Sequence, residues 1–204
     1  MKSWTWLSLL AVAMAGCHLC PTGDAKPARP PAPAQSPAPA QPGVILVSPA
    51  NARIGFTGST ALVSHSGTFE AFDGTFEVPT DDPKDVKVRV AVDVTSTATK
   101  IGLLTKHLKA EDFFDVAQYP TAEFVLEDVR PSGEPGSYQV AGRLTLHGVQ
   151  RPVAFPARIA VTPEEVSFEA TMTVSQTEFG MIEGAKKTKD EVPVTVSIRG
   201  RRKS

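Results

Sequence analysis

The chain has 204 residues and a formal net charge of -1, with 41% hydrophobic and 21% charged residues. This length accommodates one folded domain with additional segments, and a charge near zero gives no electrostatic reason to expect nucleic acid or an acidic surface as a partner. The two cysteines, Cys17 and Cys20, both precede the part with strand-like patterning, so we expect no disulfide or thiol chemistry in the folded domain. Their C-x-x-C spacing lacks a surrounding βαβ pattern and a second ligand pair, which argues against a redox or zinc site.

Residues 1–16 have the features of a signal peptide. A short positive start precedes an apolar run from Trp4 to Gly16, which is too short for a permanent membrane span. A methionine, an alanine and a glycine stand directly before Cys17, and this pattern resembles a bacterial lipobox. We therefore expect a lipoprotein, cleaved before Cys17 and carrying acyl chains such as palmitate on that residue. The alternative is an ordinary signal peptide cut nearby, with Cys17 and Cys20 free or bridged to each other.

Residues 17–43 are dominated by proline and alanine and predict a disordered linker. Such segments lack the apolar residues that a core requires, and they extend as semi-rigid spacers at about 3.1 Å per residue. Behind a lipid anchor, this linker would hold a domain off the membrane. We therefore expect a cell-envelope protein that faces the periplasm. His18 after the anchor favours the outer membrane, by analogy with enteric sorting.

Residues 44–204 predict one all-β domain. Apolar and polar residues alternate through successive segments, a period of two that is typical of antiparallel strands with one dry and one wet face. The segment from Val86 to Val94 predicts a nine-residue strand. Turn signals such as His147-Gly148 separate about eight strands, enough to close an antiparallel barrel whose interior holds one small ligand. A two-sheet sandwich is the alternative architecture.

The stretch from Leu104 to Phe124 departs from this alternation. Its apolar side chains follow a nearly helical spacing up to Phe114, and Tyr119-Pro120 ends any helix because proline pushes the preceding residue toward extended geometry. We predict a short helical or irregular cap across one opening of the β structure.

No group of residues in the domain predicts catalysis or metal binding. Its three histidines lie in different segments, without the spacing of metal ligands or a nucleophile motif: His65, His107 and His147. An acidic cluster on the cap and a basic run at an expected hairpin tip are typical of solvated surface: Glu111, Asp112 and Asp115, and Lys186, Lys187 and Lys189. We therefore expect no enzyme, no metal and no cofactor. An esterase-like or isomerase-like enzyme that uses His107 and Asp112 is the remaining alternative.

Several spaced motifs resemble the YceI-like family. The segment from His107 to Phe124, HLKAEDFFDVAQYPTAEF, is similar to the central signature of that family. Further motifs follow in family order: G-T-F with F-D-G, then VAGRLTLHGVQRPV, then TEFGM with residues 190–198. The resemblance covers about residues 44–200. One departure stands at Gln176, where the family often has arginine in an Arg-x-Asp-Phe-Gly motif, so a basic contact to a ligand head group would be absent here.

The resemblance implies a closed lipocalin-like barrel that binds a polyisoprenoid or a related long-chain lipid, such as a quinone tail or a fatty-acid derivative. The protein would act as a carrier, store or sensor of this lipid, with the membrane as a second partner through the anchor and a homodimer left open. We expect inward-facing strand residues and the aromatic residues of the cap to line the lipid cavity: Phe56, Val88, Val90, Val92, Phe113, Phe114, Tyr119, Phe124, Leu144, Leu146, Phe155, Phe168, Met172 and Val194. A solid valine-rich core without a ligand is the competing hypothesis, and an envelope adaptor that binds proteins through its loops would fit it.

Overall fold

The computed structural model of the protein describes residues 43–202. The expected signal peptide, the lipidation of Cys17 and nearly all of the linker lie outside the described residues. The described part contains eleven strands and two short helices: β1 (Val44–Val47), β2 (Ala52–Ser59), β3 (Ser64–Phe69), β4 (Phe72–Glu77), β5 (Lys87–Asp93), β6 (Thr97–Thr99), α1 (Gly102–Leu108), β7 (Thr121–Pro131), β8 (Ser137–Leu146), β9 (Val149–Val161), β10 (Glu165–Ser175), α2 (Ile182–Lys187) and β11 (Glu191–Arg201).

All strands belong to one curled antiparallel sheet, in the order β1-β4-β5-β7-β8-β9-β10-β11-β2-β3-β6. The prediction of an all-β antiparallel domain is therefore confirmed. The strands form a single sheet, not the two packed sheets of the sandwich alternative. The strand count is eleven instead of about eight. The expected strand from Val86 to Val94 is interrupted by a bend that separates β5 from β6, and β1 is an additional short strand beside β4. The G-T-F and F-D-G motifs, which resemble the first hairpin of the family, lie in β3 and β4, and these strands pair with β2 and β5 instead of with each other.

The bend after β5 makes the prediction of a nine-residue strand from Val86 to Val94 wrong. The Asp93 carboxylate accepts hydrogen bonds from the backbone N–H of Thr95, at 2.9 Å, and from its hydroxyl, at 2.6 Å. These bonds fold residues 94–96 into one 3₁₀ turn, because a short acidic side chain offers the backbone an alternative partner to the ladder.

The bend between β3 and β4 lies directly beside this turn. The Ser96 hydroxyl accepts hydrogen bonds from the backbone N–H groups of Glu70 and Ala71, at 3.1 and 2.9 Å. The two bends are thus tied to each other, and the chain on either side continues as the β3–β6 pair and the β4–β5 pair.

The predicted turn at His147-Gly148 is confirmed, whereas the expected hairpin tip before β11 is a helix. His147 and Gly148 have positive φ angles of 51° and 73°, the conformation of the two-residue turns that match the twist of a hairpin. The expected basic tip at Lys186 and Lys187 instead forms the last turn of α2.

The two halves of the sheet interior are filled differently. Large side chains such as Phe76 and Val140 are completely buried in the half next to β1. There β1 packs over β11, since a Cβ atom on Gly200 would lie 2.4 Å from Ile45. The other half, where β11 begins with residues such as Val192, is covered by α1, by the segment that follows it and by α2, and it contains a cavity.

Candidate functional site

An apolar cavity of about 120 Å³ lies between the sheet and the segments that cover it. Several strands contribute inward side chains to its wall, because alternate residues of a strand face the same side. Helix α1 and the loops on either side of α2 supply its cover. Its lining consists of Ile54, Phe56, Gly58, Phe69, Val92, Leu108, Phe113, Phe114, Ala122, Leu144, Leu146, Met172, Val174, Gln176, Met181, Thr188, Val192 and Val194. We call it the mouth cavity.

A second apolar cavity, of about 70 Å³, continues the first toward the densely packed half of the sheet. Its lining consists of Ile54, Val88, Val90, Val92, Ala122, Glu123, Phe124, Leu144, Phe155, Phe168, Met172, Val196 and Ile198. We call it the inner cavity. The two cavities adjoin, since five residues line both: Ile54, Val92, Ala122, Leu144 and Met172.

Three phenylalanine rings form a cluster under the cap of the mouth cavity. The centroids of Phe56 and Phe69 are 5.3 Å apart, and Phe114 lies 5.8 Å from Phe56 and 5.9 Å from Phe69. The ring of Phe114 meets that of Phe56 edge to face at 86°, a favoured arrangement of aromatic pairs. Because Phe114 belongs to the cap and the other two to strands, the cluster joins the cover to the wall.

Gln176 is the one side chain with an amide group in the lining of the mouth cavity, and it is only 5% exposed. Its amide nitrogen donates to the Thr188 hydroxyl at 2.9 Å and to the backbone carbonyl of Lys189 at 2.7 Å. The cavity wall therefore combines a broad apolar surface with one polar corner, formed by Gln176 and Thr188.

Asp190 fixes the chain next to this corner. Its carboxylate accepts hydrogen bonds from the Ser175 hydroxyl at 2.6 Å and from the hydroxyl and backbone N–H of Thr177, both at 2.7 Å. These donors, first Ser175 and then Thr177, lower the pKa of Asp190 because they stabilise its charged form. The carboxylate thus joins the end of β10 to the start of β11.

Helix α2 is held to the cap by an ion pair between Lys187 and Asp112. The Lys187 ammonium also lies 6.0 Å from the ring centroid of Phe113, a cation–π distance. The hydrogen bond from Lys187, and then its charge, lower the pKa of Asp112. The backbone of α2 approaches the cap so closely that a Cβ on Gly184 would lie 2.8 Å from Phe113.

The structure brings together all but one of the residues predicted to line the lipid cavity. The mouth cavity includes Phe56, Phe113, Phe114, Leu146 and Val194; the inner cavity includes Val88, Val90, Phe124, Phe155 and Phe168; and both include Val92, Leu144 and Met172. Tyr119 lies outside both cavities, because its ring packs against His147 at 4.3 Å, beside the β8–β9 turn.

Sequence reasoning missed the residues that α2 and the loops around it contribute. Met181, Gln176 and Thr188 line the mouth cavity, yet they belong to short segments without any periodic pattern. Ile54, Ala122 and Val174 also line the interior, and their alternation with polar neighbours was the signal that could have identified them.

The three histidines of the domain occupy separate places. His65 lies in β3, His107 packs against Phe113 at 5.1 Å, and His147 forms the β8–β9 turn. The Nε2 atom of His147 is buried and has no hydrogen-bond partner among the described residues. Among the described side chains, which exclude that of Glu183, no group of three or more His, Cys, Asp or Glu is arranged to hold a metal ion.

A wider concavity, of about 490 Å³, lies on the outer face of the sheet. Charged and hydroxyl side chains such as Arg53, Arg158 and Glu169 contribute to its lining, and it is open to solvent. We place the candidate site in the interior, because the cavities there are less open than this concavity and almost wholly apolar. None of the helices in the described residues has the length and apolarity needed to cross a membrane.

Comparisons with known proteins agree with this fold. The YceI-like domain matches residues 46–199. A UPF0312 protein of Pseudomonas putida (strain W619) is 36% identical over 140 residues, which cover 66% of this chain and 72% of that protein. A UPF0312 protein of Photorhabdus laumondii subsp. laumondii is 32% identical over 140 residues, which again cover 66% of this chain and 72% of that protein.

Similar solved structures share the architecture at low sequence identity. Burkholderia cenocepacia BcnA has a TM-score of 0.68 at 21% identity, covering 74% of this chain and 98% of that one. A polyisoprenoid binding domain from Saccharophagus degradans, implicated in plant cell wall breakdown, has a TM-score of 0.64 at 15% identity. The match covers 80% of this chain and 100% of that domain. The Campylobacter jejuni YCEI protein has a TM-score of 0.59 at 19% identity, covering 68% and 85%. At these identities the likeness concerns the fold alone.

Proposed function

The chain belongs to the YceI-like domain family, and on this premise we propose that it binds an extended apolar lipid inside its curled sheet. The observation that carries the proposal is the pair of adjoining cavities, whose lining is almost entirely aliphatic and aromatic. Isoprenoid chains are the first choice of ligand, since one solved structure of the same fold is a polyisoprenoid binding domain. Quinone tails and fatty-acid derivatives share the same apolar chemistry.

Burial of the chain supplies the affinity. Each methylene removed from water contributes about 0.8 kcal/mol, so a chain of a few isoprene units binds firmly without any charged contact. The inner cavity reaches buried side chains such as Phe155 and Phe168, and it would receive the end of the chain. The phenylalanine cluster of Phe56, Phe69 and Phe114 would cover the part nearer the mouth.

The cavity volumes limit how the ligand enters. Pockets for drug-sized ligands measure about 300–1,000 Å³, which exceeds the 120 and 70 Å³ of the two cavities. A long lipid chain can therefore bind only if side chains between the two cavities change their rotamers. Met172 lines both spaces and is suited to this movement, because an unbranched thioether side chain adapts its rotamers readily. The cap would move outward with Phe114 at the same time.

The polar corner indicates the kind of head group. Gln176 stands where the family often has arginine, and Gln176 and Thr188 both line the mouth cavity. An uncharged amide and a hydroxyl match an alcohol, a carbonyl or a quinone ring better than a phosphate, which prefers cationic donors. We therefore propose a neutral head group.

We further propose that the sheet closes into a lipocalin-like barrel. Support comes from the bends, where hydrogen bonds from Asp93 N–H to the Ala71 carbonyl, at 3.0 Å, and from Glu70 N–H to the Ser96 carbonyl, at 3.3 Å, bridge the chain between the β4–β5 and β3–β6 pairs. Since β3 leads into β4 and β5 into β6, these bonds link the two ends of the strand order. Closure would leave few unpaired strand edges.

The place of action is proposed from residues 1–43 alone, which give a signal peptide pattern, a lipobox-like sequence before Cys17 and a proline-rich linker. A lipoprotein in the cell envelope, facing the periplasm and favouring the outer membrane, fits these features. In that position the domain would carry, store or sense a membrane lipid.

Native mass spectrometry of the purified protein, followed by solvent extraction, tests the binding function. We expect a co-purified species of several hundred daltons that transfers into organic solvent. A mass equal to the bare chain, unchanged after incubation with isoprenols, quinones and fatty acids, would instead favour an adaptor with a solid core.

A further inference from the structure

Four large apolar side chains stand in solvent at the end of the sheet that holds the mouth cavity. Leu62 is 94% exposed at the tip of the β2–β3 hairpin, and Leu103 is 80% exposed at the start of α1. Val63 and Ile101 beside them are also exposed. We call these four residues the apolar rim. Exposed apolar side chains that cluster in this way mark a surface for contact with another molecule or with a membrane.

The strand register places the two halves of the rim together. Strands β3 and β6 are antiparallel, with Gly67 opposite Thr99. The chain that runs back from Gly67 to the hairpin tip therefore lies at the same end of this ladder as the chain that runs forward from Thr99 to α1. The β2–β3 hairpin and α1 also line the mouth cavity, through Gly58 of β2 and Leu108 of α1.

The charge around the rim identifies the partner it fits. Residues 57–69 and 94–110, which carry the rim, contain Lys100, Lys106 and Lys109 and no aspartate or glutamate, and the acidic residues next in sequence are Glu70, Asp93, Glu111 and Asp112. Apolar side chains bordered by lysines suit the interface of an anionic bilayer, where the apolar groups insert and the lysines meet lipid phosphates. A second copy of the chain fits less well, because it would bring like charges together.

We propose that the apolar rim docks on the surface of an anionic lipid bilayer and that the ligand passes from the bilayer into the mouth cavity there. The part concerning ligand transfer rests on the proposed function. Docking itself depends only on the rim and its lysines. The rim lies at the tip of the β2–β3 hairpin and at the start of α1, and the same hairpin and helix contribute Gly58 and Leu108 to the cavity wall.

Site-specific fluorescence on the full chain tests the docking. In a Cys17→Ser, Cys20→Ser background, a single cysteine is introduced as Leu62→Cys or Leu103→Cys and labelled with nitrobenzoxadiazole. Leu46→Cys is the matched control, since Leu46 is 40% exposed on β1, beside the densely packed half of the sheet. Each label reports its own position, so membrane binding by residues 1–42 affects all three proteins alike.

Vesicles of equal parts phosphatidylglycerol and phosphatidylethanolamine should shift the emission of the labels at positions 62 and 103 to the blue, and the label at 46 should not respond. The shift should be smaller with phosphatidylcholine vesicles or at high salt, because screening weakens the attraction of the lysines. Equal responses at all three positions, or none at 62 and 103, would overturn the proposal. A shift without vesicles that grows with protein concentration would assign the rim to a second copy of the chain.

Transfer is tested with the double variant Leu62→Ser, Leu103→Ser. Uptake of a fluorescent isoprenol from the anionic vesicles should slow by about tenfold or more, since two leucine side chains no longer insert. The affinity for the same isoprenol in detergent should stay unchanged, and Leu46→Ser should take it up like the parent. Failure of the parent to bind the isoprenol in detergent would reject the proposed function. Normal binding with unaltered uptake by the double variant would reject transfer through the rim.

Discussion

The ring of Phe56 lies directly over Gly67 of the neighbouring strand. The two residues are register partners in the β2–β3 pair, and a Cβ atom at position 67 would lie 2.3 Å from Cζ of Phe56. Only glycine leaves this space to the ring. The position of Phe56, which lines the mouth cavity and contacts Phe69 and Phe114, therefore depends on the absence of a side chain on β3.

Gly67→Ala should displace the Phe56 ring and disturb the aromatic cluster. We expect a loss of about 1–3 kcal/mol in the free energy of unfolding, as for other overpacked sites, together with weaker retention of the co-purified lipid. Urea denaturation and solvent extraction measure the two effects. Gly58→Ala is the control, because Gly58 lies in β2 and lines the same cavity, but a Cβ there meets nothing within 4 Å. Equal losses in both variants would contradict the importance of this contact.

A charge inside the sheet should abolish lipid retention. Val90 is buried and lines the inner cavity, so Val90→Asp places a carboxylate where an apolar chain would lie. Ala91→Asp introduces the same group on the opposite face of β5 and should keep the lipid. Circular dichroism establishes that both variants are folded before mass spectrometry compares their ligands. Equal lipid content in two folded variants would count against the interior as the binding site.

Filling the junction of the two cavities should exclude the ligand without adding charge. Ala122 lines both cavities, and Ala122→Met adds side-chain volume there. We expect binding of an isoprenol to weaken by at least about tenfold, because displacing two methylenes already removes that much affinity at 0.8 kcal/mol each. Isothermal titration gives the affinity. Ala160→Met, on the exposed face of β9, adds the same side chain outside and should bind as the parent does.

The strands that line the interior could be predicted from the sequence because their apolar and polar residues alternate along the chain. Val88 and Val90, for instance, alternate with polar neighbours, and both face the inner cavity. The bends could not be predicted in the same way. Val94 continues the alternation past the end of β5, while the hydrogen bonds of Asp93 to Thr95 decide where the strand stops.

Helix α2 and the place of Tyr119 depend on tertiary contacts that leave no periodic signal. The helix has six residues, and Gly184 within it lowers its intrinsic propensity. That glycine is nonetheless what allows α2 to approach Phe113 and Gln176, each 2.8 Å from where a Cβ would be. Tyr119 follows the aromatic residues of the cap in sequence, but its ring contacts His147, which lies where the end of β8 meets the start of β7.

The ion pair between Asp112 and Lys187 should hold the cover closed and thereby slow ligand release. Because the pKa of Asp112 is lowered in the folded protein, the attraction is complete above the ordinary value of 3.8 and is lost as the pH falls through the lowered pKa. Release of a fluorescent isoprenol should thus be constant near neutral pH and accelerate in strong acid.

Asp112→Asn should release the isoprenol faster than the parent at neutral pH, and its rate should lose this acid-dependent rise. Stopped-flow fluorescence at several pH values measures the rates. Lys84 and Asp82 form another exposed ion pair, in the β4–β5 connection, so Asp82→Asn is the control and should leave release unchanged. Identical pH profiles for Asp112→Asn and the parent would show that the pair does not gate the cavity.

Gln176 should determine which head group the protein accepts. Gln176→Arg introduces a cation at the polar corner of the mouth cavity, where a neutral head group is proposed to lie. We expect the preference for an isoprenyl phosphate over the corresponding isoprenol to rise by at least about tenfold, since hydrogen bonds to charged groups are worth roughly 1.5–3 kcal/mol.

The variant Gln176→Glu is the control. Its side chain is nearly the same size as that of glutamine but carries a negative charge, so it should disfavour the phosphate instead. Gln176→Glu also loses the hydrogen bonds that the amide nitrogen gives to Thr188 and Lys189, because a carboxylate cannot donate, whereas the guanidinium of arginine retains N–H donors at this position. Competition binding with the two ligands measures the preference, and equal shifts in both variants would place the head group elsewhere.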